Sequence, residues 1–132
     1  MQASGENYLE TIYRLKQKSE NVRSIDVARA TGYSKPSVSR ALVRLKKEAA
    51  ITIDEKGNIL LTEDGLKHAE KLIEKQSIIK EFLIKYTEVS RDVADADADR
   101  MKHVLSDEAF AAMQKALSRN TRRASFGLHQ RR

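Results

Sequence analysis

Residues 33–50 hold Lys35, Arg40, Arg44, Lys46 and Lys47 against one acid, Glu48, for a local net charge of +4. Ser34, Ser37 and Ser39 are interleaved with them. This mixture suits a polyanion. Hydroxyls and helix N-terminal amides bind phosphate, and an arginine fork pairs with a guanine edge. Other chemistries are poorly supplied. Zero Cys excludes disulfides, thiolate metal sites and cysteine nucleophiles. There is no Gly-rich phosphate loop and no Ser/His/acid grouping in a motif context, so an enzyme is not expected. Asp92, Asp95, Asp97 and Asp99 crowd one stretch but lack the Gly and terminal Glu of a calcium loop, and read as an acidic linker. His68 and His129 have no cluster around them and read as surface residues.

Positioning the basic block requires a particular run of elements. Tyr8, Leu9, Ile12, Tyr13 and Leu15 recur at helical spacing, so 6–18 reads as an amphipathic helix with Ser4 as N-cap. A short helix follows over 25–31, capped by Ser24. Gly32 supplies a turn position that tolerates positive φ. Ser34 caps a third helix with Pro36 in its first turn, running to about Ala49 and burying Val38, Ala41 or Leu42, and Leu45. Ile51–Ile53 and Ile59–Leu61 pair as a hairpin around a Gly-containing turn. Thr62 caps a long helix out to about Lys85. Beyond the acidic stretch, Met101, Val104 and Leu105 form a helix, and Ser106 caps a last one carrying Phe110, Met113 and Leu117.

Helix, short helix, Gly turn, helix and hairpin, in that order, is the winged variant of the helix-turn-helix. The third helix then projects its N-terminal end into the major groove of duplex DNA. Its candidate DNA-contacting residues are Ser34, Lys35, Pro36, Ser37, Ser39, Arg40 and Arg44, with Lys56 at the wing tip beside the backbone or minor groove. The competing reading is a winged-helix protein-interaction module that does not bind DNA. The retained basic and small polar residues argue against it.

The chain has 132 residues and a formal net charge of +6. A chain of this length makes one compact domain or two very small ones. The expected fold class is mainly α with a small β-hairpin wing. A winged helix-turn-helix DNA-binding domain covers 1–65, a long linking helix and helical dimerisation domain cover 66–118, and a basic, flexible tail covers 119–132. No apolar run approaches the roughly 20 residues of a membrane span, and 1–10 lacks a secretory h-region. A cytoplasmic protein is expected. The apolar set Met101, Val104, Leu105, Phe110 and Met113 points to a homodimer reading two half-sites of a palindromic operator.

Four segments resemble the diphtheria-toxin-repressor and manganese-transport-regulator family in order and spacing. They are Ser4-Gly5-Glu6-Asn7-Tyr8-Leu9-Glu10-Thr11-Ile12-Tyr13-Arg14-Leu15, then Ile25-Asp26-Val27-Ala28 through Ser34-Lys35-Pro36-Ser37-Val38-Ser39, then Leu60-Leu61-Thr62-Glu63-Asp64-Gly65, and Arg100-Met101-Lys102-His103-Val104-Leu105-Ser106. The resemblance covers about 4–118 and is to the short members without a further C-terminal domain. It implies a homodimeric repressor of metal-uptake genes that binds Mn2+ or Fe2+ through carboxylates and imidazoles.

Carried over by position, the resemblance places metal ligands at Glu10, Asp99 and His103. It also places Asn7, Gln76 and Lys102 where relatives hold an Asp, a His and a bridging Glu. Asn7 and Gln76 are weak donors, and Lys102 is a cation where a dication belongs. Three readings are open at this point. Lys102 stands in for the metal between Glu10 and Asp99; or the site has decayed and Lys102 points to solvent; or a reduced metal site persists on Glu10, Asp99 and His103. His103 is a ligand in the last reading and otherwise a helix histidine packed on its neighbours.

Overall fold

The computed structural model describes residues 1–127. Among them the elements run α1 (Ala3–Lys18), α2 (Ser24–Thr31), α3 (Lys35–Lys47), β1 (Ile51–Ile53), β2 (Ile59–Leu61), α4 (Glu63–Thr87), α5 (Arg91–Met101) and α6 (Asp107–Gly127). The chain forms two compact units, which divide inside α4 after Ile73 rather than at the expected position 65.

The first unit is built on one core. α1 buries Tyr8, Leu9 and Ile12, which share a helical face. α2 adds Val27, α3 adds Val38, Leu42 and Leu45, and the hairpin adds Ile51 and Ile59. Each large aliphatic side chain removed from water here contributes about 1.5–3 kcal/mol. The α2–α3 turn closes on Gly32, whose φ of 75° is the left-handed conformation that glycine adopts freely. Ser34 then caps α3, its Oγ accepting from Ser37 N–H at 3.3 Å.

Two expected caps are displaced. Ser4 lies inside α1, whose N-cap is Gln2. Ser24 is the first residue of α2, whose N-cap is Arg23. There the Asp26 carboxylate accepts from Arg23 N–H at 2.8 Å, so an acid inside the helix satisfies the end that a hydroxyl was expected to satisfy.

β1 and β2 pair antiparallel with Ile51 opposite Leu61 and Ile53 opposite Ile59. Asp54 Oδ1 accepts from the N–H groups of Lys56 and Asn58, both at 2.9 Å, which holds the wing turn. The segment before α2 also joins the hairpin. Ile59 N–H donates to Val22 C=O at 2.7 Å, and Val22 N–H donates to Asn58 Oδ1 at 2.8 Å. Thr62 caps α4 as expected, its Oγ accepting from Gly65 N–H at 3.0 Å while donating toward Ala49 C=O at 2.7 Å. Gly65 permits this close approach, because a Cβ there would lie 2.0 Å from Ala50 O.

The second unit overturns the acidic linker. Residues 91–101 form α5, with Ser90 as N-cap accepting from Val93 N–H. Ala94 and Ala98 stand one helical turn apart and are fully buried, while Asp92, Asp95 and Asp99 face solvent. The strict Ala/Asp alternation disguises this i, i+4 pairing as a period of two, and alanine is the strongest helix former. The expected helix through Val104 and Leu105 is also corrected. α5 ends at Met101, and 102–106 make the turn into α6, where Ser106 Oγ accepts from Ala109 N–H at 3.0 Å.

α6 continues to Gly127, so the stretch from 119 to 127 that was expected as a flexible tail is helical. Residues 128–132, with His129, Arg131 and Arg132, lie outside the described residues.

Candidate nucleic-acid interface and candidate metal position

α3 presents two faces. Val38, Leu42 and Leu45 are buried, and Lys35, Pro36, Ser39, Arg40, Val43, Arg44, Lys46 and Lys47 are exposed. The helical spacing of Ser39, Arg40, Val43, Arg44 and Lys47 puts them on one outward strip. At the N-terminal end Ser34 Oγ donates to Ser37 Oγ at 2.9 Å, and Arg40 Nη2 donates to Ser37 Oγ at 3.4 Å. Ser34, Ser37 and Arg40 therefore form one polar array at the positive end of the helix dipole, where phosphate is favoured. A shallow cleft of about 210 Å³ lies beside it, lined by Ser4, Tyr8, Ser37, Arg40 and Arg44. Lys56 is exposed at the wing tip.

Two features of this surface escaped the sequence. Tyr33 is 54% exposed and meets the Tyr8 ring edge-on, with centroids 5.6 Å apart. Val43 is 55% exposed in the middle of the basic strip. An apolar residue at an outward helix position is a signal that sequence periodicity can supply, and an exposed methyl pair there suits the thymine methyl group.

The candidate metal residues fall in both units. Asn7 and Glu10 belong to the first. Glu10 accepts from Arg14 Nε at 3.0 Å, one turn along α1. His68, expected as a lone surface residue, instead sits 2.5 Å from Glu6 Oε2 within the same unit. Sixty-two positions separate that pair, and nothing local in the sequence signals it.

In the second unit Lys102 is buried at 2% exposure, which removes the reading in which it points to solvent. Its Nζ donates to Gln76 Oε1 at 2.6 Å and to Asp99 Oδ1 at 2.8 Å. His103 follows it in the turn after α5 and is half-buried.

Gln76, Asp99 and Lys102, as they sit in the second unit, do not fit a divalent ion. No group of three or more His, Cys, Asp or Glu side chains capable of holding one exists among the described residues. The ammonium already engages the oxygens of Gln76 and Asp99. A dication brought to roughly 4 Å from it meets about 8 kcal/mol of repulsion at an effective dielectric of 20.

A second buried lysine was missed. Lys75 Nζ donates to Leu105 C=O at 3.3 Å, pairs with Asp107 at 3.5 Å and lies 5.8 Å from the Phe110 ring centroid. It ties α4 to the turn and to the start of α6. Phe110, expected at a dimer surface, is buried within the unit at this point.

A three-helix core carrying a hairpin wing and a basic, outward third helix defines a winged helix-turn-helix transcriptional regulator. Residues 1–56 match the family model of the iron-dependent repressor N-terminal DNA-binding domain, and residues 62–124 match that of the iron-dependent repressor metal-binding and dimerisation domain. The chain is 31% identical over 109 residues to the transcriptional regulator MntR of Escherichia coli O6:H1, covering 83% of this chain and 70% of that one. It is 28% identical over 109 residues to an HTH-type transcriptional regulator of Methanocaldococcus jannaschii, covering 82% and 87%. The structure of the manganese regulator SloR matches with a TM-score of 0.74 at 28% identity, over 86% of this chain and 53% of that one. The chain thus spans about half the length of that solved relative. It belongs to the iron-dependent repressor family, the group of DtxR and MntR.

Proposed function

We propose that this protein is a sequence-specific transcriptional regulator that binds a palindromic operator in duplex DNA as a homodimer, in the cytoplasm. The observation that carries the reading is the exposed strip of α3, where Ser39, Arg40, Arg44 and Lys47 follow an N-terminal array of Ser34, Ser37 and Arg40. Lys35 and Pro36 open the helix, and Lys56 adds a backbone contact from the wing. Arg40 and Arg44 read base edges, and the lysines and serines hold phosphates.

Dimerisation through the second unit supplies the second half-site. Val104 is 80% exposed and Val93 is 48% exposed in that unit, two apolar side chains that a second copy would cover. No helix among the described residues is long and apolar enough to cross a membrane. The relatives are named as transcriptional regulators and repressors.

Selection from a randomised pool of DNA duplexes tests the reading. The expected product is a two-fold symmetric consensus whose affinity falls steeply between low and moderate salt, through counterion release. A pool that never enriches, with weak binding that is flat in salt, would overturn it and favour a protein partner for the winged domain.

A further inference from the structure

Lys102 and Gln76 stand where the family resemblance places a bridging Glu and a His, and the structure brings the two together. The Lys102 ammonium is held at 2.6 Å by Gln76 Oε1 and at 2.8 Å by Asp99 Oδ1, with its side chain 1% exposed. Gln76 is oriented from both ends. Its Nε2 donates to Asp95 Oδ1 at 3.2 Å, and a carboxylate can only accept, so Oε1 is turned toward Lys102. Lys80, 3.7 Å from Asp95 Oδ1, balances that carboxylate in turn. One amide thus reads a carboxylate on one side and an ammonium on the other.

We propose that the Lys102 ammonium is the resident cation of this unit, covalently fixed in place of a divalent ion, so that the protein holds its second unit without manganese or iron. The charge arrangement supports this. One ammonium faces the Asp99 carboxylate, and Gln76 turns a neutral oxygen to it, so a positive charge already occupies this point. A free dication would have to sit beside a cation already in place. It would also require oxygens at metal-bond distance that are occupied by hydrogen bonds. The Lys102 side chain joins α4 to the end of α5, a link that a bound ion would otherwise have to make and that no change in metal supply can break. Any constitutive effect on DNA binding rests on the function proposed above. The cation site itself does not.

The experiment uses the full chain and reads metal content and thermal unfolding, neither of which involves DNA. Purified protein should carry far less than one equivalent of any divalent metal. Its Tm should stay within about 1 °C when manganese, ferrous iron or a chelator is added in millimolar amounts, whereas saturating a micromolar site would raise it by roughly 10 °C or more. A stoichiometric metal or a rise of that size in the wild-type chain overturns the proposal.

Lys102→Glu combined with Gln76→His should convert the site, so that manganese now raises Tm. A folded double variant with no manganese response also overturns it. If the double variant does not fold, Lys102→Met decides: it should unfold several degrees below wild type and gain nothing from manganese, and an unchanged Tm sinks the idea. Failure to bind any DNA, with these thermal results intact, counts against the function proposed above and leaves the cation site standing.

Discussion

Lys102 donates to Gln76 Oε1 across 26 positions of sequence, at 2.6 Å and out of solvent. A buried ammonium is tolerated only when its donors are matched, so Gln76 and Asp99 set the cost of having Lys102 inside. Asp99 is itself 59% exposed, which screens its contribution and leaves the neutral amide as the better-shielded partner.

Gln76→Leu therefore should destabilise the chain, because it removes an acceptor from a buried charge while keeping the side-chain size. The expected loss is about 1–3 kcal/mol. Chemical denaturation of the full chain measures it. Gln76→Glu keeps an acceptor facing the ammonium but replaces the donor to Asp95 with a second carboxylate, so it should recover only part of that loss. Equal stability of the leucine variant and wild type would show that Lys102 finds compensation elsewhere.

Gly65→Ala tests the contact between the wing and the start of α4. The added Cβ would lie 2.0 Å from Ala50 O, a backbone atom fixed by Thr62 N–H at 3.0 Å. Neither side can yield without breaking that hydrogen bond, and overpacking of this kind costs about 1–3 kcal/mol or more. The neighbouring Ala49 has φ 59°, the left-handed region that penalises a Cβ, so Ala49→Gly should be neutral or slightly stabilising. Thermal unfolding of the two variants should move in opposite directions, or by very different amounts.

Gly65 also shows how the sequence was and was not legible. Its place after Thr62 marked the cap, but its reason, a carbonyl fifteen positions earlier, is tertiary. The hairpin bounds and the Ser34, Thr62 and Ser106 caps were readable because each is a local pattern of hydroxyl or alternation. α5 was not, because its Ala/Asp alternation fits period two as well as a helix that buries only Ala94 and Ala98. The buried state of Lys102 could be suspected only from its family position, and Lys75 and the His68–Glu6 pair had no local signal at all. Basic residues on α3 were visible as composition. Their division between an outward strip and a serine array needed the helix in place.

Asn58→Ala should loosen the wing. Its Oδ1 accepts from Val22 N–H at 2.8 Å and receives Lys16 Nζ at 3.5 Å, joining the hairpin to the segment before α2. Val22 is buried, so its N–H loses its partner without gaining water. The expected cost is about 1–2 kcal/mol. Hydrogen exchange at Val22 and Ile59 amides should quicken more than at α3 amides. Uniform quickening would mean that the wing and the helical core open together.

Arg40→Ala and Arg44→Ala separate base reading from phosphate attraction. If either side chain pairs with a base edge, its loss costs about 1–3 kcal/mol on the selected operator and less on random duplex. Lys35→Ala and Lys56→Ala should weaken both kinds of DNA alike and lower the slope of log K against log salt by roughly one unit each. Fluorescence anisotropy with both duplexes across a salt series distinguishes them. Identical behaviour of all four variants would assign α3 to non-specific attraction only.

Val104→Glu tests the proposed dimer surface without touching the core. Val104 lies in the turn between α5 and α6, 80% exposed, and Phe110 in α6 is already covered within the unit. A charge placed where a second copy packs must be desolvated or repelled, which weakens association by tenfold or more, about 1.4 kcal/mol for each factor of ten. Because Val104 makes few contacts in its own chain, monomer unfolding should be nearly unchanged. Sedimentation should therefore shift toward monomer at a concentration where wild type is dimeric. The full palindrome should lose affinity while an isolated half-site does not. A variant that stays dimeric would move the interface to another face of the second unit, with Val93 on α5 the next position to charge.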